Sequence, residues 1–294
     1  MNNKIKRATG LLVIEVVNSN PNGDPDRESD PRQRPTGYGE ISPVSFKRKL
    51  RDLLEDTESP FFKNLPEKYS TQQNCYRILE SRGRNREEIK KEMGKDLKKF
   101  DPKEFMVSDF VKKYWDARVF GNTFLEEGAD KGFIKTGVAQ FGVGISISPV
   151  SICRLTNTNK AGVQEGKSAG MAPLAFRVVE HGVYVMPFFV NPNYAAKSGC
   201  TPDDIELLKH LIPYAYDLNR SAIRPDVRLR HAWYIEHNNI LGSCHDYLLF
   251  EALTPKRLVN TSEPSTSWDD YEDKTFLPPE LAARISTCVD LVDA

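Results

Sequence analysis

One stretch near the start of the chain limits the fold more than any other. Leu11-Leu12-Val13-Ile14-Glu15-Val16-Val17 runs straight into Asn18-Ser19-Asn20-Pro21-Asn22-Gly23-Asp24-Pro25-Asp26. The apolar, β-branched run reads as a buried strand, stopped where Asn, Pro and Gly make further extension costly. After a Pro-, Gly- and Arg-rich link comes Ile41-Ser42-Pro43-Val44-Ser45-Phe46-Lys47-Arg48-Lys49-Leu50-Arg51-Asp52-Leu53-Leu54. This reads as a helix, with Ser42 able to accept from an orphan amide as N-cap and Pro43 suited to the first position. At 100° per residue, Phe46, Leu50, Leu53 and Leu54 share one apolar arc, and Lys47, Arg48 and Arg51 fall in a separate arc of similar width. Three cations beside a helix N-terminus and an amide-rich loop make a seat for phosphates. A solvated basic face is the plainer alternative.

A second element stands at Trp115-Asp116-Ala117-Arg118-Val119-Phe120-Gly121. Together, the N-x-N-P-N-G-D-P-D loop at 18–26, the K-R-K-L-R helix at 47–51 and this W-D-x-R-x-F-G element resemble one family. It is the backbone subunit of type I CRISPR effector complexes (Cascade), of the Csd/Csh kind and most like type I-C. The resemblance covers roughly residues 10 to 253; the stretch 56–109 is individual, and the tail after Thr254 matches no family pattern. It implies a subunit that lines up in several copies along one guide crRNA, holds the phosphates independently of sequence and leaves the bases free to pair with target DNA. The partners implied are crRNA, target DNA through the crRNA, further copies of the chain and the other Cascade subunits. No cofactor, metal or catalytic residue is implied. Asn20, Asn22, Lys47, Arg48, Arg51 and Arg118 would be the main RNA contacts. Ser45, Asn122, Gln140, Lys167, Met171, Arg220 and Arg224 would be further ones.

Composition sets outer bounds. The longest nearly apolar run, Val183 to Val190, is too short to span a bilayer, and the first residues lack the apolar stretch of a secretory signal. Five widely spaced cysteines with no C-x-x-C fit a reducing cytosol and give no zinc or disulfide framework. A soluble, cytoplasmic protein is expected. Formal charge is zero but uneven: from Asn260 on there are eight acids against two bases, leaving thirty-nine bases against thirty-three acids before it. A mildly basic body of residues 1–259 with an acidic tail at 260–294 suits an RNA holder, although charge by itself is weak support.

Along the chain, residues 56–110 read as a charged, helical and partly exposed insertion, most of whose cations between Arg82 and Lys99 are solvated. Around Arg118 and Asn122, Trp115, Phe120 and Phe124 suit base stacking, and equally the buried side of a strand. Gly142-Val143-Gly144, just after Gln140, is too short for a dinucleotide fingerprint and marks either a close backbone approach or a bulge. Residues 155–175 form a long polar excursion between strands at 143–154 and 174–179. By resemblance this is a thumb that presses on the guide, with Lys167 and Met171 facing RNA.

A further strand is expected at 182–190. A helix starts at Thr201-Pro202-Asp203-Asp204 and ends or kinks at Pro213. Arg220 and Arg224 would share a face if the helix resumed; ion pairing with Asp217 or Asp226 is the alternative. An alternating strand follows at 227–237. The resulting order matches an α+β, ferredoxin-like core of the RNA-recognition-motif type, β-α-β-β-α-β, carrying the helical insertion and the thumb.

An enzyme finds little support. The acids from Asp24 fail the calcium-loop pattern, since Ser29 and Pro35 stand where Gly and an acid are needed. The five histidines are scattered, and the neighbours Cys244-His245-Asp246 would alternate faces on a strand. The rival reading is a metal-dependent endoribonuclease like the related type III backbones, using Asp24 or Asp26. A self-assembling scaffold with incidental RNA affinity is the third.

Overall fold

The computed structural model describes residues 4–83, 87, 109–122, 135–160 and 171–293. Its axis is the strand β1 (Ala8–Ser19), buried at every position except Val17 and Asn18. β1 pairs antiparallel with β8 (Met171–Val190) along one edge and with β9 (Asp226–His237) along the other, so that Val13 lies between Val185 and His231. A strand flanked on both edges and covered on both faces has no wet side to mark with polar residues. That is why its run is apolar almost throughout.

β6 (Gly144–Pro149) extends the sheet from β8, and β2 (Tyr38–Ile41) pairs with β6. β5 (Ala139–Phe141) and β7 (Ile152–Lys160) pair with other parts of the long β8. At the opposite edge β12 (Ile285–Asp290) joins β9. The order is therefore β12-β9-β1-β8-β6-β2, with all pairings antiparallel. Two small ladders stand apart: β3 (Gly121–Asn122) with β4 (Lys135–Thr136), and β10 (Lys256–Arg257) with β11 (Tyr271–Glu272).

Among the described residues the four longest helices are α1 (Pro43–Glu55), α2 (Trp115–Phe120), α3 (Pro202–Leu211) and α4 (Asp246–Leu253). Alternate residues of β1 serve different cores. Leu12, Ile14 and Val16 join Phe46, Leu50 and Leu54 of α1 and Leu208 and Leu211 of α3. Leu11 packs with Trp233, Leu249, Leu253 and Leu277, and Val13 with Val183 and Tyr271. Glu15 shares that second face and is buried; Arg230 donates to its carboxylate at 2.8 Å and His181 lies 3.3 Å away. Burial works against its ionisation, but His181 and the arginines of β9 outweigh it and hold its pKa below the ordinary value.

Several expectations hold. Ser42 caps α1, its hydroxyl accepting from the Ser45 amide at 3.2 Å, with Pro43 leading. Thr201 and Asp204 form a reciprocal capping box on α3, and the helix gives way at Ile212 to a tighter turn containing Pro213.

Others are corrected. The strands expected at 174–179 and 182–190 are one strand, β8, because His181 and Gly182 pair with Val17 and Val16 inside the sheet. The strand expected at 143–154 is broken after Pro149 into β6 and β7. Trp115 to Phe120 is a helix ended at Gly121, whose φ is +86°. No helix resumes after Pro213, so Arg220 and Arg224 share no helical face: the chain turns through 215–225 into β9. The acidic residues 260–294 supply β11 and β12, and Tyr271, Leu277 and Leu291 are buried. Of the insertion, 56–83 carries two single-turn helices, Pro60–Lys63 and Glu67–Ser70; Arg84, Arg86, Lys90, Lys91, Lys95, Lys98 and Lys99 lie outside the described residues. The excursion at 155–175 is a β7–β8 hairpin paired as far as Lys160 and Met171, with Lys167 outside the described residues.

Candidate nucleic-acid interface

The loop that follows β1 is held by its own asparagines. The Asn20 amide donates to Ile223 O at 2.7 Å and its Nδ2 to Ser29 O at 2.8 Å. Asn22 Oδ1 accepts from the Ser42 amide at 2.7 Å, which fixes the loop to the first turn of α1. Asp24 caps a single tight turn by accepting from the Asp26 amide, and Asp30 pairs with Arg177 of β8. Asn20 and Asn22 therefore shape the loop. Asn20 Oδ1 is also buried with no hydrogen-bond partner among the described residues.

The basic residues of α1 divide by what they touch. Arg48 is bound to Asp52 at 2.7 Å, to Glu55 and to the Glu80 carbonyl. Arg51 is buried and pairs with Asp116 and Glu80, both at 2.9 Å. These two guanidiniums brace α1 against the following segment and are not available to a phosphate as they stand. Both were expected to face RNA; here Asp52 and Glu55 of the same helix, and Glu80 and Asp116 from outside it, occupy them.

Lys47 and Lys49 differ. Among the described residues neither forms an ion pair; Glu80 acts on Lys47 and Asp52 on Lys49 only at longer range. Lys47 lies 5.3 Å from the centre of the Phe120 ring, which Arg51 also approaches at 5.3 Å. Burial, helped by the nearby Arg51 charge, pulls Lys47 down to about 8. Lys49 is only 5 % exposed; its ammonium sits over the Tyr216 ring at 5.3 Å and reaches Ser45 Oγ at 3.2 Å. Burial, then repulsion from Arg224, brings it to about 7. Arg224 donates through Nε to Asn20 O at 3.1 Å and is itself lowered by burial. Lys47, Lys49 and Arg224 thus stand around the loop and the start of α1 as cations outside any ion pair among the described residues, burial and neighbouring positive charge outweighing Glu80 and Asp52. Lys49 went unmarked in the sequence because it belongs to neither arc of the helical wheel. The one signal that could have found it was its place inside the K-R-K-L-R motif.

The remaining candidates scatter. Arg118 is buried in a full set of partners: Asp204 at 2.6 and 3.0 Å, and the carbonyls of Val111, Lys112 and Cys75. Burial opposes its charge, but Asp204 more than compensates and raises its pKa. Arg118, expected to contact RNA, here ties α2 to the start of α3. Trp115 Nε1 donates to the Asp204 carbonyl, so that aromatic is core. Arg220 pairs with Asp217 at 2.9 Å, the plainer of the two readings. Gln140 donates to Gly137 O. Ser45 accepts from Lys49 and does not stand alone. Asn122 belongs to β3 and Met171 opens β8.

Among the described residues no three His, Cys, Asp or Glu side chains are grouped to hold a metal ion, and no helix is long and apolar enough to cross a membrane.

Comparison with known proteins supplies the rest. The chain is 25% identical over 229 residues to the CRISPR-associated protein Cas7 of Haloferax volcanii, a match spanning 70% of this chain and 63% of the relative's length. Among solved structures it resembles a chain of a CRISPR RNA-guided surveillance complex in a pre-nicking state, at 11% identity and TM-score 0.46, covering 79% of each chain. It also resembles a chain of the type III-B Cmr-beta complex bound to cognate target RNA, at 14% identity and TM-score 0.41, covering 79% of this chain and 61% of that one. The family model for CRISPR-associated protein Cas7 matches residues 6–275, nearly the whole sequence, and the chain therefore belongs to the Cas7 family.

Proposed function

We propose that this chain is a backbone subunit of a type I CRISPR surveillance complex, of the I-C kind. Several copies assemble in the cytoplasm along one crRNA, together with the other Cascade subunits, and present its bases to target DNA. The observation that carries this reading is the group Lys47, Lys49 and Arg224, outside any ion pair among the described residues and set beside an amide-rich loop. A polyanion bound along its backbone supplies the missing negative charge without reading sequence. The strand order β9-β1-β8-β5, antiparallel throughout, supports a ferredoxin-like core within the larger sheet. The β7–β8 hairpin is the thumb.

The chain acts by shape and charge and does not cut RNA. Asp24 and Asp26 sit in the loop, yet Asp24 already serves as the cap of a tight turn. Metal-dependent cleavage of complementary RNA that disappears in Asp24→Ala would replace this reading with the ribonuclease.

The seat is tested by RNA affinity measured against salt for wild type and for Lys47→Gln with Arg224→Gln. Losing two phosphate contacts should reduce the slope of log K against log salt by about 1.4, whatever the RNA sequence. An unchanged slope would remove these residues from the interface.

A further inference from the structure

A second cationic site lies at the other end of β1. Arg7 precedes the strand and Asn20 follows it, so the twelve residues between separate the two sites by roughly 40 Å at about 3.3 Å per residue. Arg7, Gly242, Ser243, His245, Asp246 and Arg284 line a cleft of about 300 Å³.

Its walls are built rather than incidental. Thr9 Oγ1 donates to Asp246 Oδ1 at 2.6 Å and lies 2.9 Å from His237 Nε2. Ser243 donates its amide to His237 Nδ1 at 3.1 Å, which anchors the loop from β9 to α4. Arg7 reaches Asp246 at 3.3 Å and the Leu241 carbonyl. Gly242 has a φ of +95°, and a Cβ there would stand 2.9 Å from the Arg7 guanidinium carbon. The loop thus places its single glycine where it crosses that arginine.

With Asp246 taken up by Arg7, Thr9 and His237, the net charge left in the cleft is that of Arg284. Its guanidinium has no carboxylate partner among the described residues. One aromatic, His245, lines the cleft, and the ring of the exposed Tyr247 lies nearly parallel to it, 21° apart with centres at 5.8 Å. An unbalanced guanidinium beside a flat, exposed aromatic pair is the combination that holds a phosphate and stacks a base.

We propose that this cleft binds a phosphate-bearing nucleotide, with Arg284 taking the phosphate and the His245–Tyr247 pair supporting the base. The nucleotide comes either free or as the end of a single strand. The site is separate from the one beside α1 and does not depend on it.

The test is calorimetric titration of the full chain, freed of nucleic acid, with adenosine 5′-monophosphate, with adenosine, and with an RNA trimer carrying or lacking a 5′-phosphate. Wild type should bind the monophosphate saturably. Arg284→Glu and Tyr247→Ala should each weaken it about tenfold, and adenosine should bind as weakly as the Arg284 variant. Both residues are exposed, so the variants should melt with the wild type, and long-RNA binding beside α1 should be unchanged in Arg284→Glu. A trimer that binds more tightly than the monophosphate, and only when phosphorylated, identifies a strand end; equal binding identifies a free nucleotide. No saturable binding up to about 10 mM, or equal affinity in wild type and both variants, overturns the proposal.

Discussion

Lys49 holds an ammonium where burial and the neighbouring Arg224 both work against its charge, and Lys47 is in a milder form of the same position. A phosphate placed beside them favours the protonated forms, so binding takes up protons. With free values near 7 and 8, RNA affinity should be full at pH 6 and fall as pH rises, by up to about tenfold per unit per lysine above those values. Binding measured from pH 6 to 9 checks this. Replacing both lysines by arginine should flatten the curve, and a flat wild-type curve would mean that no phosphate approaches them. Arg118 makes the opposite prediction. Its removal leaves Asp204 buried without its partner, so Arg118→Ala should cost roughly 3–5 kcal/mol of stability in a denaturant titration. The salt slope of RNA binding by the remaining folded protein should not change.

At the level of elements, one histidine adds to the β12–β9 ladder in pinning the C-terminal segment. His231 lies between Asp290, in β12, and Asp273, just beyond β11, and stacks on Trp233 with ring centres 5.2 Å apart. Burial alone would lower its pKa, but the two carboxylates raise it above its ordinary 6.5; Asp290 is correspondingly lowered, because His231 and two backbone amides outweigh the cost of its burial. A raised histidine contributes stability that is complete below its unfolded value and is lost as pH rises through its folded one. A lowered aspartate contributes stability above its unfolded value and loses it as pH falls. The contact should therefore be strongest between the ordinary carboxylate and histidine values. Amide exchange in β12 should accelerate on raising pH from 6 to 9 more than the intrinsic rate does, and His231→Gln should abolish that excess.

For the whole molecule, residues 260–294 are part of the sheet. Truncation at Val259 exposes the edge of β9 and removes Tyr271, Leu277 and Leu291 from the core, each worth roughly 1.5–3 kcal/mol of burial. The truncated chain should unfold earlier on heating and aggregate; a soluble fragment with the wild-type melting temperature would contradict the packing. The acidic composition gave no hint of this, because alternation over the six residues of β12 is too short and too polar to announce a strand. Local rules determined other features. The apolar run of β1, the capped starts of α1 and α3 and the stop at Pro213 follow from side-chain chemistry within a few residues, and they were legible. The loop motif was legible as well, since Asn, Gly and Pro dictate their own turns. Which cation faces a ligand was decided only in three dimensions. Lys47, Arg48 and Arg51 look equivalent on a helical wheel, but Asp52, Glu55, Glu80 and Asp116 neutralise the two arginines and leave the lysine. Three of those four acids lie on or next to the same polar face or in the segment just after it, and Asp116 stands sixty-five residues from Arg51. Charge is a property of the residue, whereas its availability depends on partners that only the folded chain brings within reach.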